Sequence, residues 1–423
     1  MRRLYTLLLY VLLPLALLRL WWRGRRNPAY RQRWRERLGR LPRLTDGDVI
    51  LVHAVSVGEA QAAQPLIRRL LADYPHHQVL VTTTTPTGAD QVRRLFDGEV
   101  AHRYFPYDLP AVVQRYLDAV HPALVVVMET EIWPNLVAAC DRRGIRLVLL
   151  NARLSSRSAR GYGWVGSLTA ETLRRIGAIG VQAAEDGKRF AAIGAPPDRI
   201  FCTGSMKFDV RLPASITEQA EVLRLGWGMD RPVWVGASTH EGEDGKVLDA
   251  HQLVLERFPQ ALLVLVPRHP ERFDAVADMV RNRGFRCLRR SQSAAAEPAS
   301  EVYLGDTMGE LPMFFASADA AFVGGSLVAA GGHNILEPAA LGVPVVFGPY
   351  MMHFTTIADL FLEQGAARQI DDAESLARVV IDWFGDPGER ARFGDAGRRV
   401  VEGNRGALQK SLDIVRGFLG PPP

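Results

Sequence analysis

DVILVHAV (48–55), running on through Ser56, Val57 and Gly58 into EAQAAQPLIRRLLADY (59–74), decides the fold. Val49 to Val52 are apolar without polar alternation, the pattern of a strand buried on both faces and so of a parallel sheet. The second part begins just after Gly58 and predicts a helix. The same couplet recurs outward along the chain. HQVLVTTT (77–84), ALVVVMET (123–130) and RLVLLNA (146–152) are further strand candidates with helical stretches between them. Strand and helix in alternation predict an α/β doubly wound layer.

The pattern then restarts. RPVWVGAS (231–238) predicts a strand, residues around 245–258 a helix, and QALLVLVPR (260–268), VYLG (302–305), AAFVGG (320–325) and VPVVFG (343–348) further strands. Residues 209–230 carry no strong strand and read as a connector plus helix, and AAAEPAS (294–300) as a surface loop. The halves divide as 48–210 and 211–423. Ligands of open α/β sheets bind beyond the carboxyl ends of the strands, so two such domains facing across a cleft would present two substrates to each other. That layout suits group transfer, but a fold by itself does not establish chemistry.

Composition narrows the classes. With 423 residues, 48% apolar and 23% charged, the chain is globular and long enough for two or three domains. Cys140, Cys202 and Cys287 are far apart and odd in number, which offers no disulfide framework and fits a reducing compartment. Residues 1–43 hold twelve arginines and one acid, a net +11 that leaves −6 for the rest of a chain whose total is +5. A mildly acidic body argues against a nucleic-acid partner.

Leu4 to Trp22, LYTLLLYVLLPLALLRLWW, would span roughly 28 Å as a helix, close to the hydrocarbon thickness of a bilayer. RLWWRGRR supplies no small-residue cleavage site for a signal peptide. A soluble core helix is a poor match to nine arginines in the next 21 residues. The reading that accounts for both is a membrane anchor over 1–22 followed by a basic membrane-surface segment over 23–47. The heavier positive flank places the body on the cytoplasmic side. Crossing and shallow insertion are both open.

Several residues at strand ends could carry chemistry. Glu59 follows the first strand, where it can act as a general base or as a helix-terminal carboxylate. Glu129 and Glu131 follow a buried run and are expected to point different ways, one facing the cleft and the other capping the helix near Trp133-Pro134. Lys207, one of four lysines, can neutralise a phosphate or simply face solvent. Pro267 and Arg268 emerge at another strand end. Gly324-Gly325-Ser326 and Gly331-Gly332-His333-Asn334-Ile335-Leu336-Glu337 read as strand, glycine loop and helix start, an anion cradle of backbone N–H groups with Glu337 in reach of ribose hydroxyls. Met308-Gly309-Glu310 is a base-contacting loop or a plain helix start. Asp46-Gly47-Asp48 precedes the first strand as a turn, and no P-loop occurs, which favours a metal-independent site.

HAVSVGE (53–59), METEIWPNL (128–136), GSMKFD (204–209), PRHPER (267–272), GGHNILEP (331–338) and the apolar-basic amino terminus occur in the order found in the 3-deoxy-D-manno-octulosonic acid (Kdo) transferases of Gram-negative bacteria, which this chain resembles over about residues 5–410. The resemblance implies a GT-B fold of two Rossmann-like domains, with an acceptor domain first and a CMP-Kdo domain second. It implies transfer of Kdo to a lipid A precursor at the inner membrane, with inversion and with neither metal nor cofactor. By motif, Glu59 becomes the general base, Glu129 and Lys207 stabilisers of the transition state. Pro267, Arg268, Met308, Gly309, Glu310, Asn334, Ile335, Leu336 and Glu337 become CMP contacts. The rivals are a GT-B enzyme using a UDP-sugar, a nucleotide-sugar epimerase, and a noncatalytic membrane-surface module.

Overall fold

A computed structural model describes residues 1–423 apart from Arg26, Asp46, Arg211, Ala214, residues 293–298 and Pro423. Most of the 294–300 stretch and part of the Asp46-Gly47-Asp48 turn therefore lie outside the described residues. The chain divides into two compact units, Met1–Asp209 together with Asn404–Pro423, and Val210–Gly403.

The first unit is built on β1 (Val49–His53), β2 (Gln78–Thr83), β3 (Ala101–Tyr104), β4 (Pro122–Met128), β5 (Arg146–Ala152), β6 (Ala178–Val181) and β7 (Ile200–Cys202). These pair in parallel in the order β3-β2-β1-β4-β5-β6-β7. The unbroken apolar runs have their expected cause. Val49 and Leu51 enter one core, Ile50 and Val52 the core on the opposite face. The second unit repeats the design with β8 (Val233–Thr239), β9 (Leu262–Pro267), β10 (Cys287–Arg289), β11 (Val302–Leu304), β12 (Ala320–Val323), β13 (Val345–Phe347) and β14 (Ala367–Gln369). Its order is β10-β11-β9-β8-β12-β13-β14, again parallel.

Residues 211–423 read in sequence as one half, but 404–423 return to the first unit. Helix Ala407–Leu419 buries Leu408, Leu412 and Val415 in the core that also holds Ile50 and Val52. Its start is held from far away in sequence. Asp209 Oδ1 accepts from the N–H of Gly406 at 2.8 Å and Oδ2 from that of Leu408 at 2.6 Å. Bonds from N–H to a carboxylate are the strong kind. Asp209→Ala is expected to cost about 2 kcal/mol, measured by denaturant unfolding, with amide exchange rising first in 407–419.

Candidate functional site

The strand order reverses between β1 and β4 in the first sheet and between β8 and β12 in the second, where β10 and β11 are also exchanged at one edge. At such a reversal the carboxyl ends of the strands open a crevice, the usual ligand position in this architecture. Glu59, Glu129 and the Asn334–Glu337 turn follow the strands at these reversals, Pro267 and Arg268 follow the neighbouring β9, and Lys207 and Met308–Glu310 follow β7 and β11 farther out.

In the first unit the helix starts at Val57, capped by Ser56, and not just after Gly58. The Ser56 hydroxyl accepts from Glu59 N at 3.4 Å and donates to Glu59 Oε1 at 3.2 Å, while Glu59 Oε2 accepts from Val55 N at 2.8 Å. Glu59 thus takes part in the cap and also lines the end of β1. Burial pushes its carboxyl up to about 7; the Val55 N–H pulls against this, and nearby Glu129 and Glu131 add to the rise. Burial, with Glu129 beside it, lifts Glu131 to about 7 as well.

The expectation that Glu129 and Glu131 point opposite ways and that one caps a helix is corrected here. It overlooked that residues two apart on an extended chain share a face. Glu129 takes φ +56°, a left-handed conformation costing a non-glycine residue roughly 1–3 kcal/mol and often found at functional sites. Both carboxylates lie within electrostatic reach of Glu59. Helix Pro134–Arg142 is capped by Asp108 instead, which accepts from Asn135 N at 2.9 Å and Leu136 N at 2.7 Å. Lys207 lies in the turn Met206–Phe208, held by Asn151 Oδ1 accepting from Met206 N at 3.1 Å. Burial lowers the Lys207 ammonium's pKa, and Glu129 offsets this in part. Asn151 is fully buried at φ +53°, and its Nδ2 has no hydrogen-bond partner among the described residues.

In the second unit Pro267 ends β9, and the loop after it is tied to β8. Arg268 N donates to Thr239 O at 3.0 Å, Arg272 Nη1 donates to the same carbonyl at 2.9 Å, and Arg272 pairs with the buried Asp244. Among the described residues no carboxylate pairs with the Arg268 guanidinium. The rings of His240 and His333 stack with centroids 5.0 Å apart and Nε2 atoms 2.8 Å apart. Burial, with Arg268 and the surrounding histidines adding, drives His333 down to about 3, so this pair is uncharged at neutral pH.

The glycine loop differs from expectation in one respect. Gly325 N donates to Glu243 Oε2 at 2.7 Å, and Ser326 N and Leu327 N donate to Oε1 at 3.0 and 2.8 Å. His240 N adds a fourth bond, to Oε2, at 2.8 Å. The N–H groups at 325–327 are therefore spent on an internal carboxylate and not exposed for a phosphate. The following helix, Leu336–Ala340, has only five residues, so its dipole is slight. Asn334 organises this turn, with Oδ1 accepting from Leu336 N and Nδ2 donating to Glu337 Oε1, both at 3.0 Å. Burial raises the Glu337 carboxyl, and Asn334 moderates the rise. Ile335 and Leu336 are fully buried, which leaves only their backbone for a ligand. Gly331, at φ +103°, has no room for a Cβ because the His353 imidazole lies there.

Met308 is exposed, Gly309 takes φ +85°, and Glu310 accepts from Arg290 Nε at 3.0 Å and Nη2 at 2.7 Å, as well as from the Thr307 hydroxyl. Arg290's bonds hold the Glu310 carboxyl below its ordinary range. Among the described residues no group of three or more His, Cys, Asp or Glu could hold a metal ion.

Sequence reasoning missed Glu243 and Asn151 as positioning residues. A polar residue ending the apolar run RLVLLN is the signal that could have found Asn151. Glu243 sits in HEGED (240–244), where three acids at a helix start resemble ordinary caps.

Comparisons with known proteins follow this division. Residues 32–210 match the family described as 3-Deoxy-D-manno-octulosonic-acid transferase (kdotransferase), and residues 246–400 match Glycosyl transferases group 1. The chain is 42% identical over 418 residues to the 3-deoxy-D-manno-octulosonic acid transferase of Haemophilus influenzae, covering 98% of each. A solved C-terminal CMP-Kdo binding domain from Acinetobacter baumannii is 35% identical, with TM-score 0.44, covering 45% of this chain and all of that one. The UDP-GlcNAc 2-epimerase of Neisseria meningitidis, 14% identical with TM-score 0.57 over 88% of this chain and 100% of that one, shares the fold alone.

Proposed function

The chain belongs to the 3-deoxy-D-manno-octulosonic-acid (Kdo) transferase family, and on that premise we propose that it moves Kdo from CMP-Kdo to the lipid A precursor lipid IVA, with inversion and without a metal, at the cytoplasmic face of an inner membrane. The observation that carries this is the Glu59 carboxyl held near neutrality at the reversal point of the first sheet, with Glu129 and Lys207 close by.

Glu59 takes the proton from the acceptor hydroxyl as its oxygen attacks the anomeric carbon. The bond from that carbon to the CMP phosphate oxygen breaks, and CMP leaves with the electron pair. Arg268 is the cation available for the departing phosphate, and Lys207 the cation on the acceptor side. Cationic donors favour the charge of the transition state over that of the ground state. The Asn334–Glu337 turn and the Met308–Glu310 loop serve as nucleotide contacts, with Pro267 shaping the approach to Arg268.

Full-length protein with CMP-Kdo and tetra-acylated lipid A precursor should give Kdo-lipid and free CMP, undiminished by EDTA, and NMR of the product should show the anomeric configuration opposite to that of the donor. Isomerised sugar nucleotide in the absence of acceptor would instead identify an epimerase. A base must be deprotonated to act, so kcat/KM should climb about tenfold per pH unit up to about 7 and then level off. A flat profile between pH 5 and 8 would remove Glu59 from that role.

A further inference from the structure

Helix Arg2–Arg23 has mean hydropathy 1.9 in its most apolar window, and 22 residues make a rod about 33 Å long. Length and composition alone would let it cross a bilayer. Its contacts point to a different placement.

In the first turns, the Tyr5 hydroxyl donates to Asp108 Oδ2 at 3.0 Å and the Thr6 hydroxyl donates to Asn135 Oδ1 at 3.2 Å. Asp108 and Asn135 are only 3% and 5% exposed, so these bonds reach into the polar interior of the first unit. Beyond the other end the chain returns to the same unit. Arg31 Nε donates to Trp21 O at 3.3 Å, Arg33 Nη2 donates to His102 O at 2.8 Å, and Glu36 Oε2 accepts from Tyr104 N at 2.9 Å. Both ends are thus tied to one body, on the side of β3. A crossing helix would carry Tyr5 and Trp22 to opposite membrane faces, about 25 Å apart. Asp108 could then meet Tyr5 only if the body itself entered the hydrocarbon.

Exposure along the helix agrees. Tyr5, Thr6, Leu9, Leu13, Leu17 and Leu20 recur at helical spacing and are half-buried. On the opposite stripe Leu4, Leu8, Val11, Leu15, Leu18 and Trp22 are between 54% and 64% exposed. An apolar stripe facing out from a helix fastened along its other side is the pattern of an interfacial anchor. Arginines flank both ends, Arg2 and Arg3 at one, Arg19, Arg23 and Arg25 at the other, which suits one anionic headgroup layer. The Glu171 carboxyl is held low chiefly by Arg175, with Arg2 and the Met1 ammonium contributing, which sets the amino terminus over the body.

We propose that helix Arg2–Arg23 lies in the plane of a single leaflet, its Leu4–Trp22 stripe in the lipid and its Tyr5–Leu20 stripe on the first unit, and does not cross the bilayer. This rests on the membrane location proposed above.

The test uses full-length chain carrying Arg3→Cys, with the native exposed Cys202 reporting the side of the body. An impermeant maleimide is applied to sealed spheroplasts and to inside-out vesicles, and both peptides are read by mass spectrometry. Positions 3 and 202 should be modified together in one preparation and be silent together in the other. Modification of the two from opposite sides would establish a crossing helix and overturn the proposal. Recovery of the chain in the soluble fraction would overturn it in a distinguishable way, by removing the membrane itself. A fluorophore at Val11→Cys should be quenched by acyl-chain-brominated lipid. Absence of quenching in membrane-bound protein would mean that protein, and not lipid, covers the outer stripe.

Discussion

Glu59→Gln is expected to lower kcat at least about 10²-fold while CMP binds with unchanged affinity. The amide keeps the size of the carboxyl and one oxygen for the Val55 N–H at 2.8 Å, so the cap survives and the fold with it. It cannot accept a proton. The rising limb of the pH profile should therefore disappear together with the rate, a joint loss that a merely structural residue would not produce. The neighbouring acids sharpen the expectation. Glu129 and Glu131 both help hold the Glu59 proton, so Glu129→Gln should move the limb to lower pH without abolishing turnover. A Glu59→Gln enzyme with wild-type kcat would end the assignment.

Glu243→Ala is expected to have the largest effect on the second unit. Four backbone N–H groups, those of His240, Gly325, Ser326 and Leu327, converge on that one fully buried carboxylate. Each buried donor left unpaired costs about 1–3 kcal/mol, and such losses do not add simply. Glu243→Gln gives the gentler case: it preserves the volume but turns two donors toward donors. We expect Glu243→Gln to fold with a lowered Tm and to bind CMP at least about tenfold more weakly by calorimetry, because the turn before Asn334 loses its tether. Glu243→Ala should be worse on both counts. Wild-type CMP affinity in a folded Glu243→Gln protein would show that the turn does not depend on this carboxylate.

The two sheets were legible because burial on both faces leaves a trace in composition. Val49–Val52 and Leu124–Met128 have no polar position, and only a strand sandwiched between two cores tolerates that. Glu59 and Arg268 were legible as strand-end residues, since the architecture directs ligands there. What stayed hidden depends on backbone conformation and on remote pairing. Nothing about a glutamate announces φ +56°, so the turn taken at Glu129 could not be foreseen, although the spacing of Glu129 and Glu131 already allowed a shared side. Exposed N–H groups were expected at the glycine loop, but the carboxylate that takes three of them comes some eighty residues earlier in the chain. The apolar spacing of Leu408, Leu412 and Val415 shows that helix Ala407–Leu419 needs a core but not which one.

That last helix sets an order of events during synthesis. Residues 210–403 form a contiguous stretch and can close on themselves as soon as they leave the ribosome. The first unit, although translated earlier, waits with the seat of Leu408, Leu412 and Val415 open until residues 404–423 emerge. The half made first is finished last, and a nascent chain stalled before Asn404 presents bare apolar surface to chaperones and proteases.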